Sequence, residues 1–199
     1  MNVVIIDYKS GNTKSVSNLL NLLKVKNSIS CKKKDIIDCT HLILPGVGAY
    51  EAAMRNLKEN LEIDFLNDIV LEKKKPILGI CVGMQIMTSV GYEFGEHKGL
   101  NWLKGITKKI ETNYPLPHIG WNDVVFSGEE KINSLNGNYY FVNSYSVHLE
   151  NQSNELAKTE YGKNFLSVFR KENIFGCQFH PEKSQSRGVS FMNYFLQNF

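Results

Sequence analysis

Three short runs, NVVIID from residue 2, HLILPGVG from residue 41, ending in a Pro/Gly turn, and PILGI from residue 76, hold apolar residues at consecutive positions where a half-exposed strand would alternate. Runs of this kind predict strands covered on both faces, the state of a mostly parallel sheet between layers of helix. The intervening segments fit that scheme. After the turn YKSGN, Val16, Leu19, Leu20 and Leu23 recur on one helical face, and Asn12 is placed to cap that helix. AYEAAMRNLKENLEIDFLNDIVLEKKK reads as two helices in succession. Beyond Gly91 the runs become shorter and β-type, at GITKKIE, HIGWNDVVF, YYFVNSYSV, FLSVFRK and IFGCQFH, and SRGVSFMNYFLQNF returns to a helical pattern. The expectation is one α/β domain over residues 1–199, a mostly parallel central sheet flanked by helices, with a β-rich second half.

Composition narrows the function classes. A chain of 199 residues with 42% hydrophobic content buries one sizeable core. No apolar run approaches the roughly 20 residues a membrane span needs, and MNVVIIDYKSG has neither the basic region nor the cleavage site of a signal peptide, so a cytoplasmic setting without membrane contact is expected. The net charge of +3 comes from dispersed lysines with tight clusters only in CKKKD and EKKKP, which argues against a nucleic-acid surface. Cys31, Cys39, Cys81 and Cys177 form no C-x-x-C pair, so neither a zinc site nor a disulfide framework is expected.

Of the four cysteines, Cys81 has the most telling surroundings. It ends an apolar run, carries Gly79 and Gly83 two residues to either side, and is followed by a helical pattern. Alone, that context fits either a buried thiol with small neighbours or a nucleophile on a sharp strand-to-helix turn, the sulfur counterpart of G-x-S-x-G. The second reading requires help, because a free thiol with a pKa near 8.5 is only slightly ionised at neutral pH. A helix N-terminus favours the thiolate, and a histidine with an orienting partner completes the site.

Five histidines are available. His41 begins a buried run, His97 and His148 lie in polar segments, and His118 opens HIGWN. His180 follows IFGCQF and has Glu182 two residues on, a spacing that lets a carboxylate orient the imidazole that takes the proton from sulfur. An α/β-hydrolase places its acid before the histidine, and here the order is reversed.

The segments LPGVGAY, GICVGMQ, PHIGWN, YYFVNSY and GCQFHPEKS, in this order, resemble the class I (triad-type) glutamine amidotransferases, which have a flavodoxin-like α/β fold. More narrowly they resemble the glutaminase subunits of imidazole glycerol phosphate synthase, from the first strand to the last helix. The resemblance implies that Cys81 attacks the side-chain amide of L-glutamine, that His180 shuttles the proton, that Glu182 orients His180, and that a thioester is hydrolysed without metal or other cofactor. It implies oxyanion donors at Val47 and Val82, within a turn Gly46–Gly48 whose conformation can switch activity, and glutamine contacts at Gly48, Gln85, Ser144 and Tyr145. It also implies a heterodimer with a cyclase of (β/α)8-barrel type, which receives the ammonia and makes imidazole glycerol phosphate and AICAR. The facing surface would include Asn12, Trp121, Tyr140 and Lys183.

Taken singly, several of these residues have plainer readings. Gly46 and Gly48 also suit the end of a strand, Gln85 suits a helix surface, and Trp121 and Tyr140 suit a core. Met84, Met87 and Cys177 are read as core filler. Asn143 departs from the histidine usual in the subfamily, which leaves open a paralogue that supplies ammonia to a sugar amidotransferase, and a non-catalytic binding module is a third possibility.

Overall fold

The computed structural model describes residues 1–199. Its main sheet has nine strands in the order β2-β1-β3-β4-β13-β12-β11-β8-β9. The parallel part comprises β1 (Asn2–Ile6), β2 (Lys26–Ser30), β3 (His41–Gly46), β4 (Ile77–Cys81) and β13 (Ile174–Cys177). The antiparallel part comprises β8 (His118–Phe126), β9 (Gly137–Asn143), β11 (Glu155–Tyr161) and β12 (Lys163–Lys171). A second sheet of four strands joins β5 (Val90–Gly91), β6 (His97–Lys98), β7 (Gly105–Lys109) and β10 (Tyr145–Leu149). Every residue of β3 and β4 is buried, as the unbroken apolar runs require.

The helices are α1 (Thr13–Leu22), α2 (Lys33–Asp38), α3 (Tyr50–Asn60), α4 (Ile63–Asn67), α5 (Val82–Gln85), α6 (Glu130–Asn133) and α7 (Gln185–Asn198), with a π-helical turn Asp68–Glu72 continuing α4. Asn12 caps α1, its Oδ1 accepting from the Ser15 N–H at 3.3 Å. On α7, Phe191 and Phe195 stack on Phe175 of β13, and Phe191 meets Phe179 edge-on at 4.9 Å. These aromatic contacts fix the chain on either side of His180.

Besides the two-residue strands β5 and β6, two strands of the main sheet escape the sequence patterns. β2 (KNSIS) and β11 (ELAKTEY) carry mostly polar residues, because β2 lies at the sheet edge and β11 has one face in solvent. The helix expected after Cys81 is also short: α5 ends at Gln85, and the chain then turns through Ser89.

All the parallel strands end at one edge of the sheet, and Gly46 pairs with Cys81 across the β3–β4 ladder. Ligands in such folds bind outside these carboxyl ends. Gly83 packs directly on β3: a Cβ there would lie 1.9 Å from the Leu44 carbonyl oxygen, and a Cβ on Gly46 would lie 2.2 Å from the Gly83 nitrogen. Both contacts are with backbone, so no side-chain rotation relieves them. Gly83→Ala is therefore expected to destabilise the fold by about 3 kcal/mol, the upper part of the usual overpacking range, in urea denaturation. An unchanged unfolding midpoint would contradict this packing.

Candidate active site

Cys81 is the last residue of β4 and the cap of α5, with φ 54° and ψ −113°. A non-glycine residue held there costs about 1–3 kcal/mol, and such strain concentrates at functional sites. The turn lifts the sulfur above the end of the sheet, yet the residue is only 3% exposed. The Sγ approaches the Val142 carbonyl at 3.9 Å and receives the Gln178 Nε2–H at 3.6 Å.

His180 comes off the end of β13, and its backbone N–H donates to the Tyr140 carbonyl at 2.9 Å. Its Nδ1 bonds Glu182 Oε1 at 2.8 Å, with both side chains buried. Cys81 is the other side chain that acts on the imidazole. Burial is the largest single influence on the imidazole and pulls its pKa down, but the charge and hydrogen bonds of Cys81 and Glu182 together outweigh it and raise the value to about 10. The other Glu182 oxygen, Oε2, is buried without a partner.

The remaining histidines serve the fold. His41 bonds the Phe199 carbonyl, His118 stacks on Phe141, His148 is near Ser146, and His97 lies in the short strand β6. Burial pushes the Cys177 thiol well above its ordinary pKa, and pushes Cys31 up to about 11. Met84 and Met87 are fully buried core residues.

The predicted oxyanion donors differ from one another. Val82 opens α5, where its N–H has no partner within the helix. Val47 does not offer its N–H: it donates to the Ser10 carbonyl at 2.7 Å, so the expected donor is committed elsewhere in this conformation. The neighbouring Gly48 sits at φ 89° with no atom within 4 Å of where a Cβ would lie, and its N–H is without a protein acceptor.

Around the expected glutamine pocket, several groups are already paired. Gln85 is buried and donates from Nε2 to the Tyr145 carbonyl at 3.1 Å and to Gln178 Oε1 at 3.0 Å, which leaves its Oε1 for a ligand N–H. Asn143 donates to the same Tyr145 carbonyl at 3.1 Å, and the Ser144 carbonyl accepts from the Ile110 N–H. The backbone carbonyls of Ser144 and Tyr145 thus hold the loop together. Glu93, which carries no motif signal, is also present: its Oε2 accepts from the Tyr50 N–H at 2.7 Å, at the start of α3 beside the Gly48 turn. Burial and the charge of Glu93 both raise the Tyr145 pKa, so the carboxylate is within electrostatic reach of that side chain.

Three of the four residues expected to face a partner form one cluster. Trp121 and Tyr140 are register partners on β8 and β9 with ring centroids 6.0 Å apart, and Lys183 Nζ lies 5.6 Å from the Tyr140 ring. Asn12 lies in the neighbouring loop after β1, where Gly11 packs on Pro45. Ile119 pairs with Val142, and with Trp121 and Val47 these side chains form the exposed apolar rim of the site.

The glutamine amidotransferase class-I family matches residues 4–198 of this chain. The imidazole glycerol phosphate synthase subunit HisH 2 of Methanococcus maripaludis is 41% identical, with 98% of both chains covered. Subunit HisH of Leptospira interrogans is 39% identical over 96% of this chain and 97% of that protein. Among solved structures, a glutamine amidotransferase superposes with a TM-score of 0.78 at 17% identity, covering 98% of this chain and 97% of that one. PurLQS from Thermotoga maritima superposes with a TM-score of 0.73 at 18% identity, covering 97% and 98%. The strained cysteine at the strand end, the paired histidine and glutamate, and full-length similarity at about 40% identity converge: the chain belongs to the class I glutamine amidotransferases, in the family of the HisH subunits of imidazole glycerol phosphate synthase.

Proposed function

We propose that this chain is the glutaminase subunit of an imidazole glycerol phosphate synthase, hydrolysing L-glutamine at Cys81 and delivering ammonia to a cyclase subunit of (β/α)8-barrel type in the cytoplasm. The observation that carries the chemistry is the buried line from Cys81 through His180 to Glu182. The thiolate attacks the γ-amide carbon, and the amide π electrons move onto oxygen. As the tetrahedral intermediate collapses, the C–N bond breaks and the His180 imidazolium gives its proton to the leaving nitrogen. His180, now neutral, takes a proton from water as that water attacks the thioester; collapse of this second intermediate breaks the C–S bond, expels Cys81 as thiolate beside the reprotonated His180, and frees glutamate, whose carboxylic proton passes to solvent. Glu182 keeps the ring oriented throughout.

Recognition follows from the free groups around the sulfur. Gln85 Oε1 accepts from a substrate N–H, and the Glu93 carboxylate matches the α-ammonium of glutamine. Val82 supplies one oxyanion donor. The second must come from the Gly46–Gly48 turn, either by release of the Val47 N–H from Ser10 or by use of the Gly48 N–H. A missing donor costs about 3 kcal/mol of transition-state stabilisation, so low activity is expected from the chain alone.

The rim formed by Val47, Ile119, Trp121 and Val142 supports a partner docked over the site. Ammonia released into water at neutral pH becomes ammonium and loses its nucleophilicity, so a covered site conserves the product. Purification of the synthase that binds this face separates the histidine-pathway acceptor from an amino-sugar synthase.

Cys81→Ala is expected to abolish glutamine-dependent synthesis by the complex while sparing the reaction fed by added ammonium; failure of ammonium to rescue would overturn the division of labour. The glutaminase rate should rise by about two orders of magnitude when the synthase binds, the size of one oxyanion donor. Equal rates with and without the synthase would show that the turn needs no rearrangement. In nitrogen NMR, His180 should remain protonated through neutral pH and titrate near 10. In Cys81→Ala its pKa should fall, because a negative partner is lost while burial remains; an unchanged titration would contradict the pairing.

A further inference from the structure

Gln178 is fully buried between the nucleophile and the glutamine-binding loop. It stands two residues before His180 and four before Glu182, where β13 gives way to the Pro181–Lys183 turn. Its Nε2 lies 3.6 Å from Cys81 Sγ, within reach of a hydrogen bond to sulfur, and its Oε1 accepts from Gln85 Nε2 at 3.0 Å.

The direction of both amides is set by a backbone group. The Tyr145 carbonyl can only accept, so the Gln85 atom 3.1 Å from it is the NH2 group. The same NH2 then faces Gln178, which must answer with its oxygen. Its own NH2 is thereby aimed at sulfur. A neutral N–H directed at a buried sulfur favours the anion over the thiol, because only the anion is a strong acceptor.

We propose that Gln178 is a thiolate donor of this site: clamped by Gln85, its Nε2–H bonds the Cys81 sulfur, keeps it ionised before attack and restricts its position. The proposal rests on the reading of Cys81 as the glutaminase nucleophile. The titratable neighbours of the sulfur are His180, Glu182 and Cys177 from the same segment and Tyr8 from the end of β1. Of these His180 is the one cation. Tyr8 and Cys177 are held neutral through the working range by burial. Gln178 adds a donor whose charge does not change with pH, so the sulfur has a partner both before attack and when hydrolysis of the thioester expels it again as thiolate. The same contact links the nucleophile to the pocket: Tyr145, Gln85, Gln178 and Cys81 form one hydrogen-bonded chain.

Gln178→Glu tests this directly, since it retains the acceptor for Gln85 while removing the donor to sulfur. The full-length chain would be alkylated with iodoacetamide across pH, with the Cys81-containing peptide followed by mass spectrometry. Glutaminase kinetics would be measured on the complex with its synthase. The Cys81 midpoint is expected to move up by at least one pH unit, and kcat to fall at least about tenfold with KM within about threefold. Gln178→Met, which loses the donor without adding charge, should shift the midpoint in the same direction by less and decides the matter if the glutamate variant does not fold. Coincident alkylation profiles in wild type and a folded variant would overturn the proposal. A wild-type complex with a reactive Cys81 and no glutaminase activity would instead overturn the function on which it rests.

Discussion

The backbone of Leu44–Gly46 and the first turn after Cys81 lie so close that no side chain fits between them. Gly83 rests on the Leu44 carbonyl, and Gly46 faces the Gly83 nitrogen. That contact holds Cys81 at a positive φ against a conformational preference of about 1–3 kcal/mol. It also sets the Gly46–Gly48 turn beside Cys81, because Gly46 pairs with Cys81 in the ladder and the chain passes at once into Val47 and Gly48. A larger residue at either position would push the turn and Cys81 apart.

The rest of the site is attached to this contact from the other side. β13 runs parallel to β4, so the segment beyond it carries Gln178, His180 and Glu182 to the same edge of the sheet as Cys81. Ser184 then ties that segment to β9 by accepting from the Tyr140 N–H and donating to the His180 carbonyl. β9 carries Val142 to the exposed rim, with half-buried Tyr140 beside it, and places the Val142 carbonyl near the sulfur. Under the proposed function, a partner pressing on this rim acts on backbone bonded directly to His180, a short mechanical route between docking and chemistry.

Sequence reasoning reached as far as local patterns carry information. Buried parallel strands appear as unbroken apolar runs, and β1, β3 and β4 were legible for that reason. β2 and β11 were not, because an edge strand and a half-solvated strand use residues that also suit loops. The cysteine turn was legible through its glycines, whose spacing reports a backbone geometry. The state of Val47 was not, since its N–H is engaged by Ser10 from a loop distant in sequence. Glu93 and Gln178 were missed for related reasons. Glu93 sits in an unpatterned loop, and its importance comes from a helix start that lies far back in the chain. Gln178 alternates with Cys177 and Phe179 inside a buried stretch, where a glutamine carries no signal until its neighbours are known. A side chain of that size and polarity at a fully buried position was the available clue.

The central claim is that the Cys81 sulfur forms the bond to glutamine's amide carbon, and a chloroketone derived from glutamine tests it most directly. Incubated with the complex and mapped by peptide mass spectrometry, it is predicted to leave one adduct, on Cys81, which excess glutamine prevents. Loss of glutamine-dependent activity with no adduct at Cys81, or with the adduct on Cys31, Cys39 or Cys177, would contradict the account.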